Sequence, residues 1–198
     1  MKNRKDYYFK KAKKEGYRAR SAYKLFELNK KYQLISRNDK ILDLGCTPGS
    51  WLQAAVNLTG KNSFVLGIDI LPVKEIKGAK FIQGDITDIL TWERIKEFSN
   101  EFDAIISDVA PKTSGIKELD HNKSIYLNET ALELADKFLK KNGNFLCKVF
   151  QGEYFQEFLD KIKKKFEFVK CSKPESSRKE SKEIYVICKG FKRNINSS

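Results

Sequence analysis

Short apolar runs of strand type recur along the chain, and the stretches between them carry apolar residues at helical spacing. The first run is Ile41, Leu42 and Leu44. Gly45, Pro48 and Gly49 then break the pattern, and Trp51, Leu52, Ala54, Ala55 and Val56 resume it with a helical period. This predicts a strand, a tight glycine turn and a helix. Further strands are predicted at 63–68, at 79–85, at 102–111 where the strand runs into a loop, and at 144–150, 166–171 and 183–188. Helices are predicted from Ser21, a candidate N-cap, over Ala22, Leu25, Phe26 and Leu28, and over 91–98, 122–141 and 153–164, with Asn142-Gly143 closing the third of these. Residues 112–123 form a polar loop, long enough for a lid and carrying His121, the only histidine. Strands alternating with helices predict an α/β fold with a mostly parallel sheet. The short link between the last two strands predicts an antiparallel pair at the sheet edge.

Four acidic residues stand where such a sheet binds ligands, at the carboxyl ends of its strands. Asp43 precedes the glycine turn, and Asp69, Asp85 and Asp108 end or follow the second, third and fourth strands. Asp69 lies about 20 residues beyond the turn, the spacing at which a nucleotide-binding unit holds a ribose. The turn itself is GxxxG with an internal proline, neither the dinucleotide fingerprint nor a phosphate loop, and no Lys-Ser or Lys-Thr follows it. Carboxylates around a turn without a triphosphate anchor suit a ligand with a diol and a positive charge, such as S-adenosylmethionine. In the fifth strand Lys148 interrupts an apolar run, and a buried lysine is costly unless it is paired. Lys24 lies at the border of a helical stripe, where a solvent-reaching surface lysine is the ordinary reading.

Composition narrows the picture. At 198 residues, 40% hydrophobic and 33% charged, the chain suits one globular domain. No apolar run is long enough for a membrane span, and no secretory signal is visible, which predicts a cytoplasmic protein. Cys46, Cys147, Cys171 and Cys188 are widely spaced and form no CxxC pair, so no metal site is expected. The formal charge is +13. Residues 1–40 hold 14 Lys and Arg against 4 Asp and Glu, so nearly all of the excess lies at one end. Interleaved Tyr7, Tyr8, Phe9 and Tyr17 add stacking surfaces to that end, which points to nucleic acid or another polyanion as partner.

With these pieces in hand, the chain resembles the FtsJ/RrmJ (RlmE) family of RNA ribose 2′-O-methyltransferases from about Tyr17 to Cys188. The matching segments are RARSAYKL, DLGCTPGSW, GIDILP, QGDITD, SDVAP, CKVFQGE, KPESSR and KEIYVI. The resemblance implies a Rossmann-like methyltransferase fold, a seven-stranded, mostly parallel sheet with an antiparallel edge strand and helices on both faces. It implies one domain over 1–198, with a basic arm and helix at 1–38, a catalytic core at 39–190 and a polar tail at 191–198. The family's Lys-Asp-Lys-Glu tetrad falls on Lys24, Asp108, Lys148 and Glu183, with Lys148 as general base. Its S-adenosylmethionine contacts fall on Gly49, Trp51, Asp69, Asp85 and Asp108, beside Asp43 and Gly45. Ser50 stands where many members have glycine. The implied function is methylation of a uridine ribose in large-subunit ribosomal RNA by a monomer, on the assembled or assembling subunit. A tRNA anticodon-loop enzyme, and an inactive RNA-binding assembly factor, are the alternatives.

Overall fold

The computed structural model describes residues 4–111, 114–177 and 181–193. Residues 1–3 of the basic arm, Arg178 of the KPESSR segment and residues 194–198 of the tail lie outside the described residues. In order, the elements are α1 (Arg4–Glu15), α2 (Ala22–Tyr32), β1 (Lys40–Leu44), α3 (Ser50–Thr59), β2 (Phe64–Asp69), β3 (Ala79–Gln83), α4 (Ile89–Phe98), β4 (Phe102–Ser107), α5 (Lys117–Phe138), β5 (Leu139–Phe150), α6 (Phe155–Lys165), β6 (Phe166–Ser172) and β7 (Glu183–Phe191). The seven strands form one sheet in the order β3-β2-β1-β4-β5-β7-β6. The predicted antiparallel pair, β6 and β7, lies at the sheet edge. β7 is the strand that opposes the rest, and it is inserted between β5 and β6. Among the described residues no helix is long and apolar enough to cross a membrane.

Alternation along the strands divides the core between two faces. Ile41, Ala104, Ile106, Leu146, Tyr185 and Ile187 pack with α2 and α3. Leu42, Leu44, Ile105, Phe145, Cys147 and Val186 pack with α4, α5 and α6. Each fully buried Leu, Ile or Phe contributes roughly 1.5–3 kcal/mol, so both faces hold their helices by apolar burial. The same parity decides where polar residues go. Lys148 follows Leu146 by two positions, and Glu183 precedes Tyr185 by two. All four therefore share the face covered by α2, the helix that carries Lys24.

Three expectations are corrected. The third predicted helix ends at Phe138, not Lys141, because Phe138 and Leu139 are both core residues and the chain passes straight into β5. Asn142, with φ 64°, turns within a bulged stretch opposite Phe102 and Ala104 of β4. The same helix begins at Lys117, so the loop over 112–123 is shorter than expected and His121 lies on α5, 5% exposed. Asp120 accepts from the Ser114 amide (2.7 Å) and hydroxyl (2.8 Å) and from the Gly115 amide (3.3 Å), which ties the loop to the first helical turn. Ser21 precedes α2 but makes no cap; its hydroxyl meets that of Ser50 at 2.7 Å. At α4, Asp88 is the N-cap and accepts from the Leu90 amide at 2.9 Å.

Candidate active site

β1 sits where the winding of the sheet reverses, with β2 on one side and β4 on the other. Loops leaving the carboxyl ends of β1 and β4 diverge around such a point and leave a crevice. Here they also touch: a Cβ on Gly45 would lie 2.7 Å from the Val109 Cα. Gly45 (φ 71°) and Gly49 (φ 104°) adopt left-handed backbone that bulkier residues resist. Gly49 then starts α3, whose first N–H groups have no intrahelical acceptor. Arg18, not singled out from the sequence, braces this turn by donating to the carbonyls of Pro48 and Glu75, each at 2.9 Å.

The four strand-end carboxylates differ in state, and three of them, Asp43, Asp69 and Asp108, stand around the crevice. Asp43 is fully buried and neither carboxylate oxygen has a hydrogen-bond partner. Burial, and then the charges of Asp108 and Asp69, push its carboxyl well above the usual range. Asp69 accepts from the Thr47 amide (2.8 Å) and the Leu71 amide (2.9 Å), so it ties the glycine turn to the end of β2. Asp85 is exposed and accepts from the amide and hydroxyl of Thr87. Trp51 is 2% exposed, and its indole N–H donates to the Ser21 carbonyl at 2.9 Å. Its ring is thus part of the core, and only its main chain at the start of α3 faces the turn.

The second half of the site lies across β4, β5 and β7. Lys148 Nζ is 3.0 Å from Asp108 Oδ1 and donates to the Asp108 carbonyl at 2.7 Å. Tyr185 pairs with Lys148 across β5 and β7, and its hydroxyl donates to Asp108 Oδ1 at 3.0 Å. Lys24 Nζ donates to the Tyr185 hydroxyl (3.1 Å) and to Glu183 Oε2 (3.3 Å). Lys24, Tyr185, Asp108, Lys148 and Glu183 therefore form one connected polar chain on a largely apolar face. Burial opposes ionisation of Glu183, but Lys24 and Lys148 outweigh it and hold the carboxyl below its usual value. Burial, reinforced by Asp108, pushes the Tyr185 phenol upward.

All four tetrad positions expected from the sequence meet here, while Asp43 lies on β1 and Asp69 ends β2, on the other side of β4 from β5 and β7. Asp85, beyond the outer strand β3, joins neither group. Tyr185 was missed. Its signal was parity, since it stands two residues after Glu183 on the same face. Beyond Glu183, a cavity of about 540 Å³ opens between the start of α5, the loop after β5 and residues 181–183. A larger recess, about 750 Å³, lies at the other end of the strands near Tyr32 and Asn144, away from this cluster.

The chain is 47% identical to the ribosomal RNA large subunit methyltransferase E of Archaeoglobus fulgidus, over 98% of this chain and 100% of the relative. A solved structure from Plasmodium falciparum, described as a ribosomal RNA methyltransferase, superposes with a TM-score of 0.79 at 32% identity, over 90% of this chain and 100% of that one. Aeropyrum pernix fibrillarin, solved with natively bound S-adenosyl-L-methionine, shares the fold alone, at 14% identity and a TM-score of 0.58 over 78% of this chain and 68% of its own. Residues 17–191, which include both halves of the site, match the model of the FtsJ-like methyltransferases, and the chain belongs to that family.

Proposed function

We propose that this protein transfers a methyl group from S-adenosylmethionine to the 2′-hydroxyl of a uridine ribose in large-subunit ribosomal RNA, on the assembled or assembling subunit. The observation that carries the reading is the amine of Lys148 held by two oxygens of one residue, Asp108, within a buried chain that also contains Lys24 and Glu183. The residues of the crevice suit the cofactor. Asp43 is a buried carboxyl with no partner beside two further carboxylates, a place where a cation is favoured. Asp69 would hold a ribose diol, with the backbone of Gly45, Gly49 and Trp51 lining the turn. Asp85, further out, would meet the adenine side.

The cofactor supplies an electrophilic methyl on a sulfonium. The protein's task is to make a weak nucleophile attack, and to hold it in line. A 2′-hydroxyl becomes nucleophilic as its proton passes to Lys148 Nζ. The base role requires the deprotonated amine, whose two hydrogens would go to the two Asp108 oxygens at 2.7 and 3.0 Å, leaving the lone pair to face the hydroxyl. Asp108 orients the amine and offsets the positive charge that forms on it. Lys24 and Glu183 neutralise each other beside this centre. The basic 1–40 segment attracts the RNA backbone.

The test is methyl transfer from labelled S-adenosylmethionine to unmodified large subunits, free ribosomal RNA and tRNA, offered separately. The expected result is label in large subunits at one nucleotide that resists alkaline cleavage, reduced at least about 100-fold by Lys148→Ala with cofactor affinity intact. Label confined to tRNA would move the target to tRNA. Near-wild-type turnover by Lys148→Ala would remove Lys148 as the base.

A further inference from the structure

His121 is the only histidine of the chain, and the tetrad does not include it. Its ring is enclosed by the loop that follows β5. Nδ1 lies 3.0 Å from the Phe150 carbonyl oxygen, and Nε2 lies 3.0 Å from the Tyr154 amide nitrogen. A carbonyl can only accept and a peptide N–H can only donate, so these two partners assign the proton to Nδ1. The ring also lies parallel to that of Tyr154, at 5° with centroids 6.0 Å apart. Gly152 packs flat against it: a Cβ at that position would meet the imidazole at 2.5 Å. The Gln151–Tyr154 turn is thus wrapped around one imidazole.

The neighbour of His121 completes a two-sided latch. Asp120 holds the amides of Ser114 and Gly115, in the loop after β4, while His121 holds the turn after β5. Those two loops follow the strands that deliver Asp108 and Lys148. His121, Phe150 and Gly152 also wall the cavity beside Glu183, which opens on the side of the tetrad away from Asp43 and Asp69. If the cofactor occupies the Asp43 side, the RNA must enter from the cavity side.

Resting on the function proposed above, we infer that His121 is a positioning residue for the RNA. It acts through the Gln151–Tyr154 turn, shapes the wall against which the acceptor nucleotide sits, and leaves the cofactor half of the site untouched. His121→Phe fills much of the same space but strands the Phe150 carbonyl and the Tyr154 amide. His121→Gln restores a group that can accept from Tyr154. Gly152→Ala forces a methyl into the ring from the other side.

The experiment measures KM for RNA, kcat and the dissociation constant for S-adenosylmethionine on the full chain. His121→Phe is expected to raise the RNA KM at least about tenfold, the effect of losing two part-buried hydrogen bonds, with cofactor affinity changed less than about twofold. His121→Gln is expected to recover most of that effect. Gly152→Ala is expected to reproduce it, and to add nothing in a His121→Ala background, where the ring it strikes is gone. Unchanged RNA kinetics in His121→Phe, or a parallel weakening of cofactor affinity, would overturn the inference. Should His121→Phe fail to fold, the Gly152→Ala cycle decides, and additive effects there would overturn it. Absence of methyl transfer to any RNA by the wild-type chain would overturn the underlying function and this inference with it.

Discussion

Asp43 and Glu183 are both acids in the same crevice, yet their effects on stability run in opposite directions with pH. The folded-state value of Glu183 is depressed, so its stabilisation is present above the ordinary carboxylate range and is lost as pH falls through it. Asp43 is raised, because its oxygens are buried without donors. The folded form then binds more protons than the unfolded chain, and stability falls as pH rises from about 4, the ordinary value of an Asp, toward the raised one. Asp43→Asn is therefore expected to raise the melting temperature of the ligand-free protein, more at pH 8 than at pH 4.5, while weakening S-adenosylmethionine binding. Melting curves at the two pH values and a cofactor titration check both halves. A variant less stable at pH 8 would show that Asp43 has a donor in solution.

At the level of elements, the glycine turn between β1 and α3 is held from outside itself. Arg18, just before α2, reaches across to Pro48 and Glu75, and its guanidinium lies 2.7 Å from where a Gly49 Cβ would stand. Gly49→Ala adds a left-handed backbone cost of roughly 1–2 kcal/mol to that collision, and Arg18 is anchored at two points and cannot swing aside freely. The expected outcome is a melting point lower by several degrees, since about 1 kcal/mol moves a chain of this size by about 2–4 °C. Cofactor affinity should fall at least about tenfold, because the start of α3 shifts. Calorimetry of unfolding and of binding reads the two effects separately, and unchanged affinity would place the ligand away from this turn. Meanwhile β7 brings Glu183 and Tyr185 to the tetrad by entering between β5 and β6, next to Lys148. Had the last strand paired outside β6 instead, neither residue would reach Lys24.

Across the whole molecule the charge is lopsided. The segment 1–16 alone holds seven Lys and Arg against Asp6 and Glu15. α1 is seated on α2 through aromatic contacts, Tyr8 against Tyr23 at 5.5 Å and Lys11 over the Tyr23 ring at 4.7 Å, and the Tyr23 hydroxyl donates to Glu15 at 2.8 Å. The basic helix is thus fixed to the face that covers the tetrad. Replacing Lys10, Lys11, Lys13 and Lys14 with Gln should weaken RNA binding at low salt and flatten its salt dependence, by roughly 0.7–0.9 in log–log slope for each phosphate that is no longer neutralised. Cofactor affinity should not move. RNA binding measured across a salt series tests this, and an unchanged slope would take α1 out of the RNA interface.

Local pattern in the sequence was enough for the strand and helix succession from α2 onward, though not for α1 in the basic arm, and for the glycine turn, the acids Asp43, Asp69 and Asp108, and the oddity of Lys148. Each of these depends on neighbours a few residues away, through side-chain alternation, helical period or the backbone freedom of glycine. Lys24 drew attention only through the family's motifs, and Glu183 otherwise only as the residue that opens the last strand, because a helix-border lysine and a strand-opening glutamate are ordinary surface residues until something is packed beside them. Tyr185 hid in an apolar strand, since its hydroxyl matters only opposite Lys148 and beneath Lys24. The placing of His121 in a polar loop failed for a related reason. The start of α5 is set by the Asp120 carboxylate and by an imidazole buried against the turn after β5, and that turn lies about 30 residues further along the chain. Side-chain period sets the elements; long-range pairing of strands decides which polar groups meet, and so where a proton can be taken.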